Sequence, residues 1–102
     1  MVEIVTSRNG VPIRLTDERW AHIVDEHAEL LLLRDQVLTT VCEADRVVRG
    51  NAGELLAVRM LQLGNAMIVA YRETGPSDGF VITAFMSRRL QSIDRRVQEW
   101  PP

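Results

Sequence analysis

The sequence predicts an α+β domain, in which an N-terminal β-hairpin and two helices pack on a four-stranded antiparallel sheet, followed by a short C-terminal helix. Two observations predict this class. Apolar residues recur at helical spacing between residues 15 and 43, and from Asp45 onward they alternate with a period of two. Consecutive strands joined by short turns are typical of an antiparallel meander, and the preceding helices would cover one of its faces.

The first segment, residues 2–15, is predicted to form the hairpin. Apolar and polar residues alternate on both sides of Asn9-Gly10. This pair favours a tight turn between antiparallel strands, because both residues tolerate a positive φ.

The first helix is predicted over residues 15–31. Thr16 is the expected N-cap, and Asp17 and Glu18 place negative charge at the positive end of the helix dipole. Leu15 and Trp20 have the spacing of a hydrophobic staple. Helical spacing puts one group of residues on a shared face: Trp20, Ile23, Val24, His27 and Leu31.

A second helix is expected from about Leu31 to Glu43. Four strands then follow, over residues 46–49, 55–62, 67–72 and 80–87, with turns at Gly64-Asn65 and at residues 75–79. Apolar residues return to helical spacing after Arg88, which predicts the C-terminal helix.

Length, charge and residue composition limit the classes of function to be expected. The chain has 102 residues, of which 46% are hydrophobic and 25% charged, as expected of a single folded domain over residues 1–102. A formal net charge of −2 provides no general attraction to nucleic acid or to an anionic membrane. All twelve basic residues are Arg. A guanidinium suits phosphate and carboxylate, although a general compositional bias explains the absence of Lys more simply.

Several classes of site are not expected. The N-terminus lacks the pattern of a signal peptide, and no apolar run approaches the ~20 residues that span a bilayer, so we expect a cytoplasmic protein without a membrane partner. Cys42 is the single cysteine, which excludes an intramolecular disulfide. His22 and His27 are five residues apart, which is not a metal-ligand spacing on one helix face, and no metal or other cofactor is expected.

Four polar residues interrupt otherwise apolar segments and are the candidate catalytic residues: His27, Arg59, Tyr71 and Thr83. The unknown register between strands leaves open whether they share a face. Three of them also have a structural explanation: His27 as a packed histidine, Arg59 as a cross-strand ion-pair partner and Tyr71 as an ordinary core aromatic. Arg88 and Arg89 are candidate phosphate-binding residues, or simply the start of a solvated helix.

These residue types suit RNA cleavage without a metal. Such cleavage needs a base for the 2′-hydroxyl proton, an acid for the leaving oxygen and cations for the phosphate. His27 would be the base or acid, and Arg59, Arg88 or Arg89 would hold the phosphate. Tyr71 and Thr83 would orient it. His22 is most simply a surface partner of Glu26, four residues further along the helix.

The chain also resembles a known group of proteins, through LTDERWAHIVDEHAEL, LLAVR, MIVAYRE and GFVITAFMSRRL. These segments are similar to those of small bacterial domains classed with the phage-associated nucleases of the barnase–EndoU–colicin E5/D–RelE fold. The resemblance covers nearly the whole chain. It implies helices on a four-stranded antiparallel sheet, and cleavage of RNA that leaves a 2′,3′-cyclic phosphate, as in RelE-type toxins.

By this resemblance, His27 matches a helix histidine usually found in Arg-His-Pro-Glu. In this chain Glu26 and Ala28 replace the arginine and the proline, which removes a positive charge beside the imidazole. The remaining matches are at the recurrent polar strand positions of these domains: Arg59, Tyr71, Thr83 and Arg88.

A rival interpretation is a non-catalytic binding or regulatory module that pairs with an antitoxin-like or other protein. The acidic balance favours it, because RNA binding normally relies on positive charge. A small-molecule sensor is a third interpretation. Four arginines in one groove, Arg59, Arg72, Arg88 and Arg89, would favour the nuclease, whereas an apolar patch without them would favour a partner surface.

Overall fold

The computed structural model describes residues 1–102, with the exception of the Leu63 side chain. Within this part of the chain, one sheet contains seven strands in the order β1-β2-β6-β5-β4-β3-β7. The strands are β1 (Glu3–Thr6), β2 (Pro12–Leu15), β3 (Arg46–Arg49), β4 (Leu55–Met60), β5 (Ala66–Gly75), β6 (Asp78–Ser87) and β7 (Gln98–Trp100). The α-helices are α1 (Asp17–Glu26), α2 (Arg34–Cys42) and α3 (Gln91–Asp94), and the 3-10 turns are Ala28–Leu30 and Gln62–Gly64.

The α+β class is confirmed, but the predicted four-stranded antiparallel sheet is wrong. Strands β3 to β6 do form an antiparallel meander. The hairpin extends this meander instead of packing on it, because Arg14 of β2 pairs in parallel with Phe80 of β6. This arrangement buries Ile13 and Leu15 completely. At the other edge, β7 pairs with β3 and packs Trp100 against the core.

The first helix begins where the sequence predicts and ends earlier. The Thr16 hydroxyl accepts a hydrogen bond of 3.1 Å from the backbone N–H of Arg19, so the predicted N-cap is confirmed. His27 is the C-cap of the helix, with φ −133° and ψ 72°, four residues after the buried Ile23. The following turn buries Leu30 and leaves Leu31 60% exposed.

The sheet divides the apolar side chains between two faces. On the face that carries α2, which we call the helix face, β5 contributes Met67, Val69 and Tyr71 to the larger core cluster. On the opposite face, which we call the α3 face, Ile68 and Ala70 pack in a smaller cluster. The smaller cluster also contains Ile93 of α3. Strand register therefore decides on which face each candidate residue lies.

Helix α1 packs along β6 at the flank that β2 leaves uncovered. Strand β2 pairs with β6 only at Phe80, and beyond that point α1 contacts β6. Ile23 is the one fully buried side chain of α1. The longest helix, α1, has ten residues, and among the described residues no helix is long and apolar enough to span a membrane.

We predict that Gly79→Ala destabilises the fold, because residues of β2 and β5 lie close to the Cα of Gly79 in β6. An added Cβ would lie 2.5 Å from the backbone oxygen of Arg72 and 2.5 Å from Cδ1 of Ile13. Overpacking against a backbone atom should lower the free energy of unfolding by roughly 1–3 kcal/mol, measured by urea denaturation.

Gly75→Ala is the matched control, since nothing lies within 4 Å of a Cβ at Gly75. It should change the free energy of unfolding by less than about 0.5 kcal/mol. Equal urea midpoints for the two variants would contradict the close approach at Gly79.

Candidate functional site

A cleft of about 460 Å³ lies between α1 and β6, and we call it the histidine cleft. Its volume is within the range of small-ligand sites. Eight residues line it: Arg19, His22, Ile23, Glu26, His27, Ile82, Thr83 and Phe85. The structure therefore brings two of the predicted catalytic residues, His27 and Thr83, into one site.

One stripe of α1 forms a wall of this cleft. Arg19, His22 and Glu26 are separated by three and four residues, so their side chains lie above one another on the same helix face. Sequence reasoning treated His22 as a surface residue and did not single out Arg19. The spacing of Arg19, His22 and Glu26 was the signal that could have identified this wall.

The opposite wall depends on an irregularity in β6. Ala70 pairs with Thr83 and Tyr71 pairs with Val81, so Ile82 is an extra residue between the two pairings. Such bulges redirect neighbouring side chains and are frequent beside functional sites. Here the bulge lets the consecutive residues Ile82 and Thr83 both line the cleft.

His27 is held at the end of α1. Its backbone N–H donates to the carbonyl of Ile23 at 2.8 Å. Its side chain is 30% exposed, and its ring centroid lies 6.2 Å from that of Phe85. Nδ1 lies 3.8 Å from Oε2 of Glu29, which is too long for a hydrogen bond but within ion-pair range. The Glu29 carboxylate therefore lies on the Nδ1 side of the imidazole.

The charges lining the histidine cleft nearly balance. Arg19 supplies one guanidinium and Glu26 one carboxylate. Among the described residues, no group of three His, Cys, Asp or Glu side chains is placed to hold a metal ion.

Arg59 lies in a different cleft, on the helix face. It pairs with Met67 across the strands, and its Nη2 donates to Oε1 of Gln36 in α2. This second cleft shares no lining residue with the histidine cleft. The structure thus separates Arg59 from His27.

Tyr71 lies in the core of the helix face and is completely buried. Its hydroxyl has no hydrogen-bond partner among the described residues. Burial raises the pKa of the phenol, and the negative charges of Glu73 and Glu99 raise it further. A substrate in the histidine cleft would not reach this hydroxyl, because Thr83 and Phe85 of the cleft pair with Ala70 and Ile68 of the α3 face, opposite to Tyr71.

The remaining arginines do not line the histidine cleft. Arg88 and Arg89 are exposed and directly follow β6, where the backbone N–H of Arg89 donates to the Ser87 hydroxyl at 3.1 Å. Arg72 donates to the backbone oxygen of Ala52 at 2.9 Å. The four arginines whose convergence would favour a nuclease therefore do not line one described cleft.

Comparison of the chain with protein-family models, with curated proteins and with solved structures gives no match. The resemblance to the nuclease domains thus stays an expectation from the sequence.

We predict that wild-type protein loses stability above the ordinary tyrosine pKa of 10.0. The folded state keeps the Tyr71 phenol protonated there, whereas the unfolded chain ionises it, so the unfolded state is favoured as the pH rises. The loss should approach about 1.4 kcal/mol per pH unit. Urea denaturation, monitored by tryptophan fluorescence at a series of alkaline pH values, would measure this loss of stability.

Tyr71→Phe is the matched variant. It removes both the titrating group and an unpaired buried hydroxyl, so its free energy of unfolding at neutral pH should be at least equal to that of the wild type. The free energy of unfolding of this variant should fall less steeply with rising pH than that of the wild type. The chain has one Tyr and no Lys, so tyrosinate absorbance reports on this side chain alone; its appearance before unfolding would contradict the burial.

Proposed function

We propose that this protein is a metal-independent endoribonuclease whose active site is the histidine cleft. The observation that supports it is the presence of two imidazoles, one guanidinium and one hydroxyl on the walls of a single cleft. These are the groups needed to move two protons and stabilise a phosphate without a metal.

The proposed reaction is attack by the RNA 2′-hydroxyl on the adjacent phosphorus. His27 takes the hydroxyl proton at Nε2 as the O2′–P bond forms. His22 donates a proton to the leaving O5′ as the P–O5′ bond breaks, which leaves a 2′,3′-cyclic phosphate and a free 5′-hydroxyl. Arg19 and the Thr83 hydroxyl donate to the non-bridging oxygens of the phosphate.

The nucleotides on either side would use neighbouring residues. The half-buried ring of Phe85 offers a surface on which a base can stack. Arg88 and Arg89, at the end of β6, would contact a flanking phosphate. Arg59 and Tyr71 have no part in this proposal, because neither lines the histidine cleft.

We predict that His27→Ala lowers the rate of RNA cleavage by about 10²- to 10⁴-fold, the usual contribution of a positioned acid or base. The substrate is a short RNA, and mass spectrometry identifies the cyclic phosphate. An identical RNA with one 2′-deoxynucleotide at the scissile position should resist cleavage there, since it lacks the nucleophile.

Arg95→Gln is the control for non-specific effects of a substitution, because Arg95 is exposed and follows α3. This variant should cleave RNA at the wild-type rate. Equal rates for His27→Ala and wild type would remove His27 from the mechanism. Cleavage of the 2′-deoxy position would exclude this reaction altogether.

A second function has support from the other side of α1. There a groove of about 490 Å³ is lined by Trp20, Ala21, Val24, Asp25, Ala28 and Leu31. Leu31 is 60% exposed. Exposed apolar grooves of this kind are typical of partner surfaces.

The groove and its surroundings favour a basic, amphipathic helix as the partner. Its lining combines the small side chains of Ala21 and Ala28 with the larger ones of Trp20 and Leu31. Such variation in side-chain size lets the ridge of a partner helix pack into a groove. Exposed acidic residues lie around it, among them Glu18, Asp25 and Glu29. A helix with apolar residues on one side and basic residues beside them complements both features.

We predict that Leu31→Asp weakens binding of a synthetic helical peptide with a leucine face and arginine flanks by about tenfold or more, as expected for an apolar anchor. Leu32→Asp is the matched control, because Leu32 is 90% exposed and lies outside the groove. Isothermal titration calorimetry compares the two. Equal losses, or no binding by the wild type, would reject this partner surface.

A further inference from the structure

The half-buried arginines differ in whether a carboxylate of this chain lies near the guanidinium. Six arginines are half-buried. Three of them form ion pairs with carboxylates of this chain, and two more lie close enough to a carboxylate to lower its pKa. Arg14 pairs with Asp78, Arg34 with Glu3 and Asp17, and Arg46 with Asp94. Arg72 and Arg96 share Glu54, whose pKa is lowered first by the backbone N–H of Ala52 and also by these two charges.

Arg59 is the sixth, and no described carboxylate forms an ion pair with it. Its Nη2 donates to the neutral amide oxygen of Gln36. Its Nε is buried and has no partner among the described residues. A partly desolvated guanidinium without a counter-charge is costly, and an anion brought to it would recover part of that cost.

The surroundings of Arg59 form a cleft of about 680 Å³, which we call the arginine cleft. Its lining combines amide side chains with apolar ones: Gln36, Gln62 and Asn65 with Leu33, Met60 and Leu61. The Asn65 amide donates to the sulfur of Met86 at 3.7 Å. Sulfur is a weak acceptor, so this donor can turn to a stronger one at little cost.

We infer that the arginine cleft binds a small organic molecule that carries one carboxylate on a short apolar body. The fork of Arg59 accepts a carboxylate with two parallel hydrogen bonds, and the amides of Gln36 and Asn65 supply further donors. A single guanidinium matches a single negative charge, which favours a carboxylate over a phosphate dianion. The apolar body contacts Leu33, Met60 and Leu61.

This site is independent of the proposed nuclease activity. It shares no residue with the histidine cleft, and Arg59 takes no part in the proposed reaction. A failure to cleave RNA would leave this inference untouched, and the reverse also holds.

Nuclear magnetic resonance of ¹⁵N-labelled protein tests the inference, with butyrate as the probe. Butyrate should shift the Arg59 Nε–H resonance and the side-chain amides of Gln36 and Asn65 in a saturable way, in the millimolar range expected for so small a ligand. Butanol, which has the same apolar body without the charge, should produce no saturable shift.

Arg59→Gln should weaken butyrate binding at least tenfold, and Arg59→Lys should weaken it less, because lysine keeps the charge and loses the fork. Arg72→Gln is the matched control, a half-buried strand arginine outside the arginine cleft, and should bind butyrate as the wild type does.

Saturable shifts with inorganic phosphate but not butyrate would overturn the inference in favour of a phosphate site. Shifts that never saturate in the wild type, or equal affinity in Arg59→Gln, would overturn it as well. The wild-type Arg59 resonance decides the question even if a substituted chain does not fold.

Discussion

The close approach of β2 to β5 and β6 at Gly79 is the constraint on which the candidate site depends. Only a residue without a side chain lets Ile13 and the Arg72 backbone meet there. Strand β2 then pairs with β6 at one position and turns away, and α1 follows it directly. The helix consequently packs along the free flank of β6. Without this junction, His27 and Thr83 would have no common cleft.

The parts of the fold that the sequence predicted are those determined by neighbouring residues. The Thr16 cap and the turn at Gly10, with φ +86°, follow from local hydrogen bonding and backbone freedom. Strand pairing is different, because it is decided between residues far apart in the chain. Nothing near Arg14 indicates that it will meet Phe80 in a parallel pair. Nor does the apolar spacing before Trp100 indicate a seventh strand instead of a longer helix.

The same distinction explains which site residues the sequence found. His27 and Thr83 were recognisable as polar residues in apolar surroundings, and the structure places both in one cleft. Arg59 and Tyr71 gave the same signal, yet both belong to the helix face. Alternation along a strand cannot tell these cases apart. The extra residue Ile82 shifts the parity of β6 halfway along, and only the paired strand reveals it.

Helix α1 buries little apolar surface against the sheet, and this limits how long the histidine cleft persists. Ile23 is its one fully buried anchor, and the rest of its apolar side chains stay partly in water. Subglobal opening, in which this helix detaches while the sheet and α2 stay intact, therefore requires little apolar surface to become wet. The histidine cleft would be lost each time α1 detaches and would form again when α1 repacks. Amide protons of α1 would then exchange with solvent sooner than those of β5, and occupancy of the cleft would slow that exchange.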